Sequence, residues 1–104
     1  MSKSLNKVQI IGYLGQAPEL KVTTKGKSWT TFTIATTDGT GDYTRVNWHK
    51  IVLWGKTAEN AVKYLEKGSQ LYVEGVLGYN EYAKGGAKVV EAQITGFNLI
   101  FMGS

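Results

Sequence analysis

Apolar and polar residues alternate along most of this chain, and that alternation predicts strands. Between residues 6 and 14, Val8, Ile10 and Leu14 fall on one face of such a strand. The same pattern predicts four further strands at residues 29–36, 43–54, 70 to about 80, and 87 to about 101. Gly12 and Gly15 interrupt the first strand and predict a bend where it passes from one sheet to another.

One helix is predicted between residues 57 and 68, where Thr57 is the expected N-cap and Gly68 the stop. Its apolar stripe and its C-terminal basic residues are Ala58, Ala61, Val62, Leu65, Lys63 and Lys67. Three strands, a helix and two strands predict an all-β fold with one helix. The expected architecture is a five-stranded barrel of the oligonucleotide-binding (OB) type, ordered β1-β2-β3-α-β4-β5. Its last two strands form an extended hairpin, joined by a mobile loop that contains Lys84, and a plain antiparallel sandwich is the alternative.

Composition narrows the function classes. A chain of 104 residues predicts a single domain over 1–104, small enough that self-association would bury useful surface. The absence of cysteine excludes disulfides and thiolate chemistry. No apolar run has membrane-spanning length and the N-terminus lacks a signal peptide, so we expect a soluble, cytoplasmic protein without a membrane partner. The net charge of +4 suits a polyanion, although many basic domains bind no nucleic acid.

The third predicted strand carries the most informative chemistry. Period-two alternation places Ile51 and Leu53 on the face expected to enter the core, and Trp48, Lys50 and Trp54 on the other. Aromatic rings that flank a cation suit single-stranded DNA, because unpaired bases stack on the rings while the ammonium group binds the backbone. The alternative is that both tryptophans are barrel core or subunit interface.

Other residues are weaker candidates for the same surface. Three tyrosines are predicted to extend the stacking platform: Tyr79, Tyr82 and Tyr43. Three further lysines are predicted to contact phosphates: Lys7, Lys84 and Lys88. Trp29 is interpreted as packing at the mouth of the second strand, and Tyr64 as structural.

Nothing in the chain predicts an enzyme. His49 is the lone histidine, and no second histidine or thiol could join it in a metal site. The eight carboxylates are dispersed, and no glycine-rich loop ends in the Lys-Ser/Thr pair that holds phosphate before a helix. We therefore predict no catalytic residues, no metal and no cofactor.

Several segments together resemble the bacterial single-stranded DNA-binding proteins of replication, recombination and repair. The matching pieces are Leu5-Asn-Lys-Val8, Gly12-Tyr-Leu-Gly-Gln-Ala-Pro-Glu19, Phe32-Thr-Ile-Ala-Thr36, Trp48-His49, Leu53-Trp-Gly-Lys56, Tyr64-Leu-Glu-Lys-Gly-Ser-Gln70 and Tyr72-Val-Glu-Gly75. The resemblance implies an OB fold, a homotetramer and DNA wrapped over aromatic and basic residues. It also implies stacking at Trp48, at Trp54 where the family usually has phenylalanine, and at Tyr82, with DNA contact at Lys50.

Three departures from that family pattern limit the expectation. The loop after the second strand lacks the family's tryptophan, and Thr40 or Tyr43 occupies that region. Gly78 and Asn80 stand where basic residues are common. The sequence ends at residue 104 without an acidic tail, so tail-dependent replication and repair partners are not expected. A truncated DNA-binding domain and a naturally short phage, plasmid or accessory form both fit, which places the protein in the bacterial cytoplasm or nucleoid, or makes it phage-encoded within the host.

The sequence therefore predicts a protein that binds and protects single-stranded DNA with tolerance of its sequence. The alternative function is an OB-fold protein-interaction module of the primosome accessory type. RNA binding is a third possibility, because stacking platforms also accept ribonucleotides.

Overall fold

The computed structural model describes residues 3–103, in which strands dominate and one helix is present. The elements in chain order are β1 (Val8–Leu14), β2 (Lys21–Val22), β3 (Ser28–Asp38), a 3₁₀ turn (Gly41–Tyr43), β4 (Arg45–Trp54), α1 (Gly55–Tyr64), β5 (Gln70–Lys84) and β6 (Ala87–Phe101). The five long strands are those that alternation predicts. The two-residue β2 is an addition at the edge, paired only with β3.

The strands close into a barrel. Their order is β1-β5-β6-β4-β3-β2, and a further pairing of β1 with β3 completes the ring. Closure takes place at Tyr13, which lies opposite Gln70 of β5 and also opposite Ala35 of β3. A Cβ atom on the preceding Gly12 would collide with the Ala35 carbonyl oxygen, so only glycine allows this close approach. The OB architecture is confirmed, and the sandwich alternative is wrong.

The core lies inside the barrel and is capped by the helix. Ile34, Ile51, Leu53, Leu71 and Val73 are fully buried on the inward faces of β3, β4 and β5. The helix contributes Ala58 and Ala61, both fully buried, from its apolar stripe. Placing Ile51 and Leu53 on the core face was therefore correct.

The start of the helix differs from the sequence-based expectation. The helix begins at Gly55, directly after β4, and Trp54 is the N-cap residue without a side-chain capping bond. Gly55 has φ +61°, which allows the chain to turn from strand to helix with no intervening loop. Thr57 is therefore not the cap, and Lys67 lies beyond the last helical residue, Tyr64. Trp54 consequently stands at the junction between β4 and α1.

The β5–β6 hairpin extends past the barrel as a two-stranded ribbon. Pairing of β1 with β5 stops at Gly75, and pairing of β4 with β6 starts at Ile94. The side-chain amide of Asn6 adds two hydrogen bonds to the backbone of Leu77, at 2.7 and 2.9 Å. Residues 78–93, which we call the outer hairpin, pair only with each other among the described strands.

The tip of the outer hairpin is tighter than predicted. Lys84 pairs with Ala87, so the connection has only two residues, Gly85 and Gly86. Both have positive φ, at 59° and 82°, as two-residue hairpin turns require. The predicted mobile loop is therefore a compact turn, and Lys84 is the last residue of a strand.

Candidate nucleic-acid interface

The outward face of β4 carries the predicted stripe of two tryptophans and a lysine. Trp48 is 59% exposed and Trp54 is 44% exposed, whereas Ile51 and Leu53 between them are completely buried. Neither tryptophan belongs to the barrel core. The interpretation of these rings as core is therefore wrong, which leaves base stacking or a subunit interface as their role.

The Trp48 ring rests against the end of β1. A Cβ atom built on Gly15 would lie 2.6 Å from Cζ3 of Trp48 and 3.1 Å from the hydroxyl oxygen of Thr33. A side chain at residue 15 would thus push the ring away from the surface. Gly15, which directly follows β1 and was expected to bend the backbone, thus also makes room for the indole.

Lys50 lies between the two tryptophans and is held by a carboxylate. Its Nζ atom is 2.5 Å from Oε1 of Glu91 on β6, and the two side chains are 34% and 39% exposed. The two residues are far apart in sequence, so alternation within one strand could not predict the pair. A phosphate that binds Lys50 must compete with Glu91.

Trp54 stacks on a second tryptophan, a contact that alternation along single strands does not predict. Trp29 lies directly opposite Trp54 in the β3–β4 register, and their rings stack with centroids 5.8 Å apart and planes inclined by 27°. Trp29 does pack, as predicted, but on the outside of the barrel. The two rings line an open groove of about 460 Å³ that also includes Lys50, Asn80 and Gln93.

The outer hairpin divides its predicted residues between two faces. Tyr82 is two residues beyond Asn80, which lines the groove, so Tyr82 and Lys84 lie on the groove side. Tyr79 lies opposite Ala92, and Lys88 lies opposite Ala83, which puts both on the other side. Lys88 forms an ion pair of 2.5 Å with Glu81 on that side. The structure therefore places Tyr82 and Lys84 on the groove side of the outer hairpin, further out than Asn80, and Tyr79 and Lys88 on the opposite face.

Lys7, directly before β1, belongs to a separate polar network with residues of β1, β5 and β6. Its Nζ atom lies 3.2 Å from Oε2 of Glu74, and Oε1 of the same carboxylate accepts a hydrogen bond of 2.9 Å from the Asn98 side-chain amide. Gln9 donates a hydrogen bond to the Tyr72 hydroxyl oxygen in the same network. Hydrogen bonds from Asn98 and then from Lys7 hold the pKa of Glu74 below its ordinary value.

Two remaining residues of interest lie away from the groove. Tyr43, 88% exposed, ends the 3₁₀ turn between β3 and β4. His49 shares a hydrogen bond of 2.8 Å with the Thr36 hydroxyl group across the same two strands. Among residues 3–103, no group of three His, Cys, Asp or Glu side chains is arranged to hold a metal ion. In the same part of the chain, no helix is long and apolar enough to cross a membrane.

Comparison with known proteins gives a consistent result. The model of the single-strand binding protein family matches residues 5–102. The Single-stranded DNA-binding protein 1 of Chlorobaculum tepidum is 46% identical over 82 residues, which cover 74% of this chain and 51% of the relative. A Single-stranded DNA-binding protein of Xanthomonas axonopodis pv. citri is 43% identical over 88 residues, 79% of this chain and 48% of the relative. The chain thus spans about half the length of these relatives.

A solved structure is similar over almost the whole fold. A Plasmodium falciparum SSB in complex with ssDNA superimposes with a TM-score of 0.89 at 30% sequence identity, and the match covers 98% of each chain.

Proposed function

Because this chain belongs to the single-strand binding protein family, we propose that it binds and protects single-stranded DNA with little dependence on base sequence. The observation that carries the proposal is the exposed Trp48, Lys50 and Trp54 stripe on β4. Strands usually bury large aromatic rings, and exposing two of them beside a cation is the arrangement that stacks unpaired bases. The protein acts by binding and catalyses no reaction.

The roles of the individual residues follow from their positions. Trp48, Trp54 and Tyr82 stack on bases along the β4 stripe and the groove side of the outer hairpin. Lys50 and Lys84 contact the phosphates of the same stretch of DNA. A DNA strand that continues around the barrel or the outer hairpin reaches a second set of residues: Tyr43, Tyr79, Lys7 and Lys88.

Self-association belongs to the same proposal. Apolar side chains stand exposed on the outward faces of β1 and β6, among them Ile11, Tyr13 and Ile100. A homotetramer would cover such surface and would present several stripes to one DNA strand. We place this assembly in the bacterial cytoplasm, in replication, recombination and repair.

Titration with a thymidine oligomer at low salt, followed by tryptophan fluorescence, tests the proposal. Stacked bases should quench the indole emission, and Trp54→Ala should weaken binding by about 1 to 3 kcal/mol. Tyr64→Ala, on the helix, is the matched control and should bind as the unchanged protein does. Unaltered emission on addition of the oligomer would refute the proposal, and a matched RNA oligomer shows whether DNA is preferred.

Sedimentation tests the assembly separately. The protein should sediment as a tetramer without DNA and should gain mass on a long thymidine homopolymer without dissociating. A monomer in both conditions would contradict the tetramer and would leave DNA binding to be judged by the fluorescence titration.

A further inference from the structure

The groove next to Trp54 contains side chains suited to nucleotide binding that do not belong to the β4 stripe. The Trp29 side chain points out of the barrel, because Thr30 and Phe32 lie on the other face of β3 and are buried. A ring that served only to fill the core would not lie on the outside. Trp29 instead forms, with Trp54, a pair of stacked indoles at the end of β4.

Two lysines lie over the faces of this aromatic pair. Lys21 Nζ is 5.0 Å from the centre of the Trp29 ring, and Lys27 Nζ is 6.0 Å from the centre of the Trp54 ring. Lys21 is fixed there by the β2–β3 register, in which it lies directly opposite Trp29. The β2–β3 hairpin therefore holds two cations next to two rings.

These lysines differ from three of the other lysines assigned to DNA, namely Lys50, Lys88 and Lys7. Each of those three forms an ion pair with a carboxylate. Within residues 3–103, Lys21 and Lys27 form none, and the contacts that hold them are those with the indole rings. A lysine that leaves a ring for a phosphate leaves no charge behind, whereas a lysine that leaves a carboxylate leaves a negative charge beside the DNA.

The space in front of the rings suits a nucleotide. The groove of about 460 Å³ lies within the usual size range of ligand sites, and Asn80 and Gln93 place amide groups along it. Side-chain amides can donate to and accept from base edges of any identity. The groove and its rim therefore bring together two indole rings, two side-chain amides and two lysines that have no carboxylate partner among the described residues.

We infer that Trp29, Trp54, Lys21 and Lys27 form a second nucleotide-binding subsite, which takes the DNA beyond Trp54 onto the β2–β3 hairpin. A base stacks on the indole pair, and the phosphates that flank this nucleotide bind the two lysines. This inference rests on the proposed function and extends it from Trp54, at the end of the β4 stripe, to the β2–β3 hairpin.

Two sets of variants test the subsite by fluorescence polarisation of dye-labelled oligomers. Trp29→Val removes the ring but keeps a residue that favours strands, and it should weaken binding of a thymidine oligomer by about fivefold to a hundredfold. Trp29→Phe, which keeps a ring, should restore most of that loss. The double change Lys21→Gln with Lys27→Gln should weaken binding and reduce its salt dependence. Lys63→Gln is the matched control, because Lys63 lies over the Tyr64 ring on the helix and should not matter.

An oligomer without bases separates stacking from a general structural effect. Trp29→Val should have little effect on binding of an abasic deoxyribose phosphate chain, whereas the double lysine variant should weaken it. Equal losses by Trp29→Val on both oligomers would overturn the subsite. So would the absence of any further loss when Trp29→Val is added to Trp54→Ala, because Trp29 would then only support its neighbour. Normal binding by Trp29→Val, with weakened binding by Trp54→Ala, would refute the subsite alone. Failure of the unchanged protein to bind would refute the proposed function.

Discussion

Replacing Glu91 by Gln should strengthen DNA binding and make it more sensitive to salt. In the structure the Glu91 carboxylate neutralises Lys50 in the centre of the stripe. A phosphate that takes this lysine has to displace the carboxylate, and the carboxylate then remains as a negative charge beside the DNA. The Glu91→Gln change removes both costs and leaves a side chain of the same shape.

The magnitude follows from the exposure of the pair. Both side chains are more than a third exposed, so solvent screens them and the pair contributes about 0.2 to 1 kcal/mol. Binding should therefore tighten by up to about fivefold at low salt. Lys50 becomes a full phosphate ligand, and the slope of log K against log salt steepens by about 0.7, the value for one neutralised phosphate on a single strand. A fourfold rise in salt then costs the variant about 2.5-fold more affinity than it costs the unchanged protein.

Fluorescence polarisation of a labelled thymidine oligomer over a series of salt concentrations measures both effects. The matched control is Glu59→Gln on the helix, which changes the net charge equally but forms no ion pair within residues 3–103. A salt slope of Glu91→Gln equal to that of Glu59→Gln would refute the competition between Glu91 and phosphate.

Three further predictions concern β1 and its neighbours. Gly15→Ala should displace the Trp48 ring and weaken DNA binding by on the order of 1 kcal/mol. Stability should change little, since the displaced group is the end of a side chain and not backbone. Normal affinity in a polarisation titration would contradict this prediction. Gly12→Ala should instead lower the free energy of unfolding by about 1 to 3 kcal/mol, because the added methyl group meets the Ala35 backbone; a denaturant titration that shows no shift would exclude the clash. The lowered pKa of Glu74 stabilises the fold above the ordinary carboxyl range, and this stabilisation is lost as the pH falls through the folded-state pKa. Thermal melts should therefore show Glu74→Gln less stable than the unchanged protein at pH 7, with a gap that narrows below about pH 4.5, and a gap independent of pH would refute the linkage.

Alternation along single strands was enough to predict most of the fold and the central stripe. Strand residues have a period of two, so the separation of Ile51 and Leu53 from Trp48 and Trp54 needs no tertiary information. The same rule separates Tyr79 from Tyr82, which stand three residues apart on one uninterrupted strand. Their placement on opposite faces could therefore have been predicted from the sequence.

Contacts between strands were beyond this kind of prediction. The pairing of Trp29 with Trp54 depends on the register of β3 against β4, and the pairing of Lys50 with Glu91 on how the barrel closes. Neither register nor closure is encoded in local propensity. The helix start was missed for a similar reason: Thr57 is a good cap by composition, but β4 runs directly into the helix through Gly55.

The two faces of the outer hairpin also bear on which form of DNA the protein can hold. Tyr82 and Lys84 lie on one side of this narrow ribbon, and Tyr79 and Lys88 lie on the other. A polynucleotide that uses both sides has to fold around the edge of a ribbon only two strands wide. Duplex DNA has a persistence length of about 50 nm and is far too stiff for such a path. If the proposed contacts on both faces form, the hairpin would select single strands by their flexibility, before any base is stacked.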